Sequence, residues 1–154
     1  MSKYSSIDTC FDDQDALVEA LKADGFQPLL ATDQVAGDPL TGYQGDKRKD
    51  RAHVIIPRKQ IGGSSNDIGF RRGTDGTFRA VISEFDKGCG RDDQWLGKIR
   101  QRFVEAKQMR AWKAAGYTEF ERTETAAGVS VKAKIPTQHM AAQQAQQSVG
   151  FRRT

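Results

Sequence analysis

Two cysteines and two histidines are the first candidates in this 154-residue chain for a nucleophile, a general base or a metal ligand. Cys89 lies between glycines in DKGCGRDD, where a flexible loop could present its thiolate beside Lys87 and Arg91. A nucleophilic cysteine also needs a base. His53 alternates within the stretch AHVIIP, which predicts a surface or edge position, and His139 lies near the C-terminus. We therefore expect no Cys–His catalytic site.

The other patterns that could carry chemistry have structural explanations. A structural zinc site needs about four nitrogen or sulfur ligands, whereas Cys10, Cys89 and the histidines are scattered singly. GGSSND (62–67) has the glycines of a phosphate-binding loop without the lysine that contacts the phosphate. The acidic pairs Asp12–Asp13 and Asp92–Asp93 precede predicted helices, where capping explains them. We expect a non-catalytic protein that holds no metal and no cofactor.

Basic residues are the remaining candidates for a binding role. The net charge of +4 permits an acidic or phosphate-bearing partner but is mild for a dedicated nucleic-acid binder. Phosphate binding would require these groups to share one face. Stacking platforms need aromatic residues, and only Tyr43 lies nearby. Nucleic-acid binding, which would also use the exposed side of the second helix, is therefore the alternative to protein binding. The residues of this alternative are Lys47, Arg48, Lys49, Arg51, Arg58 and Lys59.

Apolar periodicity and turn signals predict the elements that position these groups. A first helix over DDQDALVEALKADGF (12–26) is capped by Asp12 or Asp13 and ends at Gly25. Thr32–Arg51 is polar and turn-rich, and is predicted as a long loop with a turn or strand fragment at Gly42–Gly45. The predicted strands are KYSSIDT (3–9), FQPLLA (26–31, an edge strand because of Pro28), AHVIIP (52–57), DIGFRR (67–72), TFRAVISEF (77–85), EFERTE (119–124) and VSVKAKI (129–135).

The order β-α-β-β-β-β-α-β-β, with most strands joined as hairpins, predicts an α+β fold. Two helices should cover one face of a mostly antiparallel sheet. The domain should span residues 1–135. Residues 136–154 are Gln-rich without periodic apolar positions, and we predict a disordered or weakly helical tail. One oddity is that IGFRRGT at Ile68 recurs as VGFRRT at the C-terminus, where it could replace or pair beside the first copy.

The second helix, WLGKIRQRFVEAKQMRAWKAAGY (95–117), combines an apolar stripe with many basic residues. Trp95, Leu96, Ile99 and Phe103 share one arc, which predicts a buried face. After Ala106 the pattern drifts, so the last two turns should overhang the sheet. An exposed aromatic flanked by cations is a typical interface anchor. The predicted partner-facing patch is Arg110, Trp112 and Lys113. The alternative is that Trp112 packs under the predicted loop.

The same helix carries a family resemblance. WLGKIRQRF followed by AGY resembles the second helix of the hypothetical chloroplast reading frame thirty-five family, small proteins from cyanobacteria, algal plastids and other bacteria. GYQG (42–45), the strand 52–57 and DIGF (67–70) match in order, whereas DQVAGDPLT, DKRKDR and the glutamine tail are longer than the family pattern. The resemblance implies an α+β fold and no catalytic residues. Neighbouring genes in bacterial members also imply an AAA-type ATPase as a partner.

The composition and the N-terminal sequence indicate the cellular compartment of the protein. A chain with 37% apolar and 29% charged residues should bury one compact core beneath a well-solvated surface. The N-terminal stretch MSKYSSIDTC has no apolar segment typical of a signal peptide, and no window approaches the length of a membrane span. Two widely separated cysteines suit free thiols. We therefore expect a cytoplasmic binding or adaptor module that docks protein partners.

Overall fold

A five-stranded antiparallel sheet forms the centre of the fold in the computed structural model, which describes residues 2–134 and 146–151. Its strand order is β1-β7-β6-β5-β2, so β1 and β2 are the edges. The predicted α+β class is confirmed, and every strand pair among these residues is antiparallel. The elements are β1 (Tyr4–Asp8), α1 (Gln14–Ala23), β2 (Leu29–Leu30), β3 (Asp38–Thr41), β4 (Lys47–Ala52), β5 (Val54–Ile56), a 3-10 turn (Arg58–Gln60), β6 (Ile68–Arg72), β7 (Phe78–Ser83), α2 (Glu84–Gly88), α3 (Asp93–Ala114), β8 (Thr118–Thr125), β9 (Gly128–Lys134) and β10 (Gln146–Phe151).

Helices α1 and α3 cover one face of this sheet, as predicted. Asp13 caps α1 by accepting a hydrogen bond from the Ala16 N–H at 3.0 Å, and Gly25 leaves the helix with φ of +96°. Asp92 caps α3 in the same way. The apolar stripes of both helices pack in one core with alternate residues of the central strands. The predicted stripe of α3, Trp95, Leu96, Ile99 and Phe103, is buried in that core.

The opposite face of the sheet is covered by a hairpin of β3 and β4. The prediction of a long loop over Thr32–Arg51 is wrong here, although the turn at Gly42–Gly45 is present. Leu40 and Ala52 from the hairpin pack against sheet residues Ile55 and Val81 in a second apolar cluster. Only these few apolar positions mark the two strands, because the rest of their sequence, DPLT and KRKDRA, is polar or charged.

The last two turns of α3 pack against a second sheet, with strand order β10-β9-β8. Trp112 lies in a third apolar cluster with Val129, Val131 and Ala133 of β9. The ring of Trp112 stacks on that of Phe120 at 6.1 Å between centroids. The predicted β8–β9 hairpin is therefore present, but it forms a sheet separate from the central one.

Residues 146–151 of the Gln-rich segment form strand β10, which pairs antiparallel with β9 and places Val149 opposite Val131. The described residues of the second copy, 149–151, thus pair with β9 and not with β6 of the same chain. Residues 135–145 and 152–154, which hold the predicted domain end and most of the predicted tail, lie outside the described residues.

The short helix α2 was not predicted, because its sequence EFDKG directly continues a strand-like run. Ser83 caps it by accepting from the Asp86 N–H at 3.1 Å. Within the described ranges no helix is both long enough and apolar enough to cross a bilayer.

Candidate functional site: a groove beside strand β2

Edge strand β2 exposes two large apolar side chains. Leu29 and Leu30 are 58% and 51% exposed, although both lie in a strand of the central sheet. β2 pairs with β5 on one side only, with Leu29 opposite Ile55 and Leu30 opposite Val54. Exposed leucines on an unprotected edge are features that monomeric proteins usually avoid.

The two leucines lie on opposite faces of the sheet. Directly paired residues of antiparallel strands share a face. Leu29 therefore lies on the hairpin face with Ile55, and Leu30 lies on the helix face with buried Val54. The edge consequently presents one uncovered apolar side chain above the sheet and one below it.

The outer backbone edge of β2 also has hydrogen-bonding groups with no backbone partner among the described residues. The Ala31 N–H donates to the His53 carbonyl at 2.8 Å, so Ala31 faces β5. Gln27 donates its N–H to the side-chain oxygen of Gln60 and accepts at its carbonyl from the side-chain nitrogen of Gln60. These backbone groups of Gln27 therefore face the same side of the strand as those of Ala31. The backbone N–H and carbonyl groups of successive residues in a strand point to opposite sides. Leu30 therefore directs its N–H and carbonyl away from β5, and Pro28 directs its carbonyl away from β5.

A groove of about 680 Å³ runs along this edge on the hairpin face. Its floor includes Leu29 and Ile55, one wall comes from the β3–β4 hairpin, and the other comes from the 3-10 turn. The polar residues of the lining are Thr32, Asp38, Thr41, Lys47, Arg58, Lys59 and Asp67. A groove of this size is within the range of ligand sites.

Asp67 fixes the two walls of the groove relative to each other. Its Oδ1 accepts from the Arg58 N–H at 2.7 Å and its Oδ2 from the Thr41 N–H at 2.8 Å. The Asp67 N–H in turn donates to the Thr41 carbonyl at 2.9 Å. The residue is 8% exposed. A single buried carboxylate thus joins the 3-10 turn to β3 and holds the two walls of the groove together.

The second carboxylate of the lining, Asp38, is also used by its own chain. It accepts from the N–H groups of Thr32 and Asp33 at 2.9 and 3.0 Å and from the Thr32 hydroxyl. The Thr32 N–H, followed by that of Asp33, holds the pKa of Asp38 below its ordinary value. Both carboxylates of the lining are therefore already engaged by donors of their own chain.

The cations of the lining keep donors for a ligand. Lys47 gives one hydrogen bond, to the Thr41 hydroxyl at 3.1 Å, and Arg58 gives one long one, to the Gly63 carbonyl at 3.5 Å. Lys59 is exposed. An ammonium has three donors and a guanidinium five, so each of the two bonded cations retains donors.

The six basic residues predicted for the alternative function do not share one face. Lys47, Arg58 and Lys59 line the groove. Arg48 lies over the ring of Tyr4 at 5.2 Å and donates to the Ser2 carbonyl at 2.8 Å. Arg51 donates to the Gly37 carbonyl at 2.9 Å, and the remaining residue, Lys49, is exposed on β4.

The predicted patch at the end of α3 does not form one exposed surface. Trp112 is 5% exposed, so the expectation that it faces a partner is wrong. It is covered by β9, and not by the predicted Thr32–Arg51 loop. Arg110 pairs with Asp13 at 3.0 Å, and Lys113 lies over the ring of Phe120 at 5.8 Å. A partner-binding role for Arg110 and Lys113 stays a prediction.

The potential catalytic residues lie apart from the groove. His53 is 3% exposed, which corrects the expected surface or edge position. Its Nδ1 accepts from the Arg72 N–H at 3.0 Å, which leaves Nε2 to donate to the Val35 carbonyl at 3.2 Å. Cys10 and Cys89 are free and exposed, and His139 lies outside the described residues. Across 2–134 and 146–151, no three His, Cys, Asp or Glu side chains form a group that could hold a metal ion.

Sequence reasoning missed Leu29, Leu30 and Asp67. The signal for the leucines was Pro28, which indicated an edge strand, combined with apolar residues that an edge does not bury. Asp67 carried no local signal, since its two acceptor bonds reach residues 9 and 26 positions away.

Comparison with known proteins adds a family and no function. No curated protein and no solved structure matches the chain. A family model described as "Protein of unknown function (DUF1257)" matches residues 20–132, which include β2, both walls of the groove and all of α3. Because the match spans most of the length of the chain, the chain belongs to this family of proteins of unknown function.

Proposed function

We propose that this protein is a small non-catalytic adaptor module that docks a protein partner in the β2 groove. The observation that carries the proposal is the edge strand itself. Its two leucines are about half exposed on opposite faces, beside a groove whose walls Asp67 already holds in place. Apolar side chains at a preformed concave edge are typical of contact surfaces.

The lining favours a protein over a nucleic acid. Of the described residues that line the groove, none is aromatic, whereas single-stranded nucleic acids bind by stacking on aromatic rings. Three of the six basic residues of the alternative, Arg48, Arg51 and Arg58, donate to carbonyls of their own chain. The floor beside β2 is apolar, which suits side chains better than phosphates.

Site-specific photo-crosslinking in the native host tests this function. A photoreactive phenylalanine derivative replaces Leu30, whose exposure leaves room for it, and in a second strain it replaces Glu121, exposed on β8. We expect discrete protein adducts from position 30 that persist after nuclease treatment, and few from position 121. Adducts that vanish with nuclease, or equal adducts from both positions, would contradict protein docking at this groove.

The partner class and location follow from the resemblance and the composition. We propose an AAA-type ATPase as a partner, supported by the likeness of the α3 sequence to the chloroplast reading frame thirty-five family, to which we also relate this chain. We propose a cytoplasmic location, supported by the two free cysteines. Mass spectrometry of the adducts and cell fractionation test these two statements.

A further inference from the structure

We propose that the β2 groove binds an extended acidic segment of a protein partner, which adds to the central sheet as a sixth strand. This inference rests on the proposed docking function and specifies its occupant. It follows from three observations. These are the placement of the exposed leucines, the outward-facing backbone groups of β2 and the presence of three cations beside two carboxylates in the lining.

The placement of the leucines favours a strand. Both leucines border the groove, but the side chain of Leu29 lies on the hairpin face and that of Leu30 on the helix face, so an occupant that covers both must reach both faces of the edge. Successive side chains of an extended segment point to opposite faces. A strand beside β2 would therefore cover both leucines at once, with one side chain in the groove and the next on the helix face.

The backbone of β2 can pair with such a strand over a short distance. Leu30 directs its N–H and carbonyl outward, and Pro28 directs its carbonyl outward. At the next outward position the Thr32 N–H is bound to Asp38. The free edge is therefore about three residues long, which predicts a short pairing in which the groove contacts supply much of the affinity.

The charges of the lining favour an acidic occupant. Lys47 lies on the hairpin wall, and Arg58 and Lys59 lie on the 3-10 wall. The lining holds these three cations and two carboxylates, and both carboxylates already accept N–H donors of their own chain. An Asp or Glu side chain in the groove would meet cations on both sides, whereas a basic segment would meet three like charges and only carboxylates that already accept bonds from their own chain.

Selection from a random dodecapeptide library against the full chain tests the occupant. We expect the selected peptides to alternate apolar and acidic residues. In fluorescence anisotropy with one selected peptide, Lys59→Glu should weaken binding at least tenfold. Lys132→Glu, an equal charge change at an exposed site on β9, should change it less than twofold. N-methylation of the central peptide bonds should weaken binding at least tenfold, because it removes the strand's donors.

Several results would overturn the inference. Selection of basic or uncharged peptides would reject the acidic occupant, and equal binding of the N-methylated peptide would reject strand pairing. Equal effects of Lys59→Glu and Lys132→Glu would reject the groove as the site. Binding of oligodeoxythymidylate that Lys59→Glu abolishes, with no peptide selected, would favour a nucleic acid instead. Crosslinking from position 30 keeps the two proposals separate. Protein adducts there without an acidic, strand-forming peptide would retain docking and reject this occupant, whereas no adducts at all would reject docking itself.

Discussion

The guanidinium of Arg122 donates two hydrogen bonds to the carboxylate of Glu105, from Nε to Oε2 at 2.8 Å and from Nη2 to Oε1 at 3.1 Å. Glu105 lies on α3 and is 7% exposed, and Arg122 lies on β8. Parallel bonds of this kind fix both the distance and the orientation of the two groups. Together with the Trp112 cluster, the pair attaches the second sheet to the helix that also covers the first.

We predict that Arg122→Ala lowers the free energy of unfolding by about 1.5–3 kcal/mol, because it leaves the buried Glu105 carboxylate without its charged donor. Urea unfolding measures the change. Arg79→Ala is the control, since Arg79 pairs with Asp8 at 2.9 Å where both side chains are largely exposed, and such pairs contribute about 0–1 kcal/mol. Equal losses in the two variants would show that the Glu105 pair is no stronger than a surface pair.

Trp112→Ala should lower the free energy of unfolding by about 3–5 kcal/mol, as Phe103→Ala should, because each removes a buried aromatic ring. The two variants should differ in where the structure loosens. Amide hydrogen exchange should rise in β8 and β9 for Trp112→Ala, and in the central sheet for Phe103→Ala. An unchanged melting temperature for Trp112→Ala would contradict the burial of this residue.

The spacing of apolar residues predicted correctly those helices and strands that bury one face in a single hydrophobic core. The stripe Ala16, Leu17, Ala20 and Leu21 of α1 is an example, and all four residues are buried. The drift after Ala106 on α3 was a real signal, but it marked a change of partner and not an overhang. The helix passes from the central sheet to the β8–β9 sheet, and its apolar arc shifts with it.

The groove could not be predicted, because tertiary contacts create it. Lys47 and Lys59 are twelve positions apart and on different elements, and they meet in one lining because Asp67 joins those elements. The exposure of Leu29 follows from β2 being an edge strand, which Pro28 indicated, but local sequence does not encode which elements stand beside that edge. Strands β3 and β4 were missed because each buries a single apolar residue, Leu40 and Ala52.

Gly69→Ala should destabilise the protein by about 1–3 kcal/mol through overpacking. A Cβ at position 69 would lie 2.4 Å from the Cβ of Ala52 and 3.0 Å from Cδ2 of Leu40, where the hairpin meets β6. Ala52→Gly removes the nearest of these atoms, so the double variant should lose less stability than the sum of the two single changes. Thermal unfolding of the four proteins measures this coupling, and strict additivity would contradict the close approach.

Asp13 should make the stability of the protein sensitive to acid. It caps α1 and accepts from Nη1 of Arg110 at 3.0 Å. Burial raises the pKa of Asp13, but the Ala16 N–H and then Arg110 outweigh it and hold the pKa below its ordinary value of 3.8. A carboxyl whose pKa is lowered in the folded state stabilises the protein at pH values above its pKa in the unfolded state. This contribution is lost as the pH falls through its pKa in the folded state.

We therefore predict that Asp13→Asn, which keeps the capping oxygen but removes the charge, lowers the free energy of unfolding by about 0.5–1.5 kcal/mol at pH 7. The difference from the unsubstituted protein should shrink below about pH 4, as the carboxyl of Asp13 itself becomes protonated. Urea unfolding at pH 7, 5 and 3 measures it. In an Arg110→Met background the effect at pH 7 should be smaller, because the partner cation is absent. A difference that stays constant from pH 7 to 3 would show that the charge of Asp13 does not stabilise this helix end.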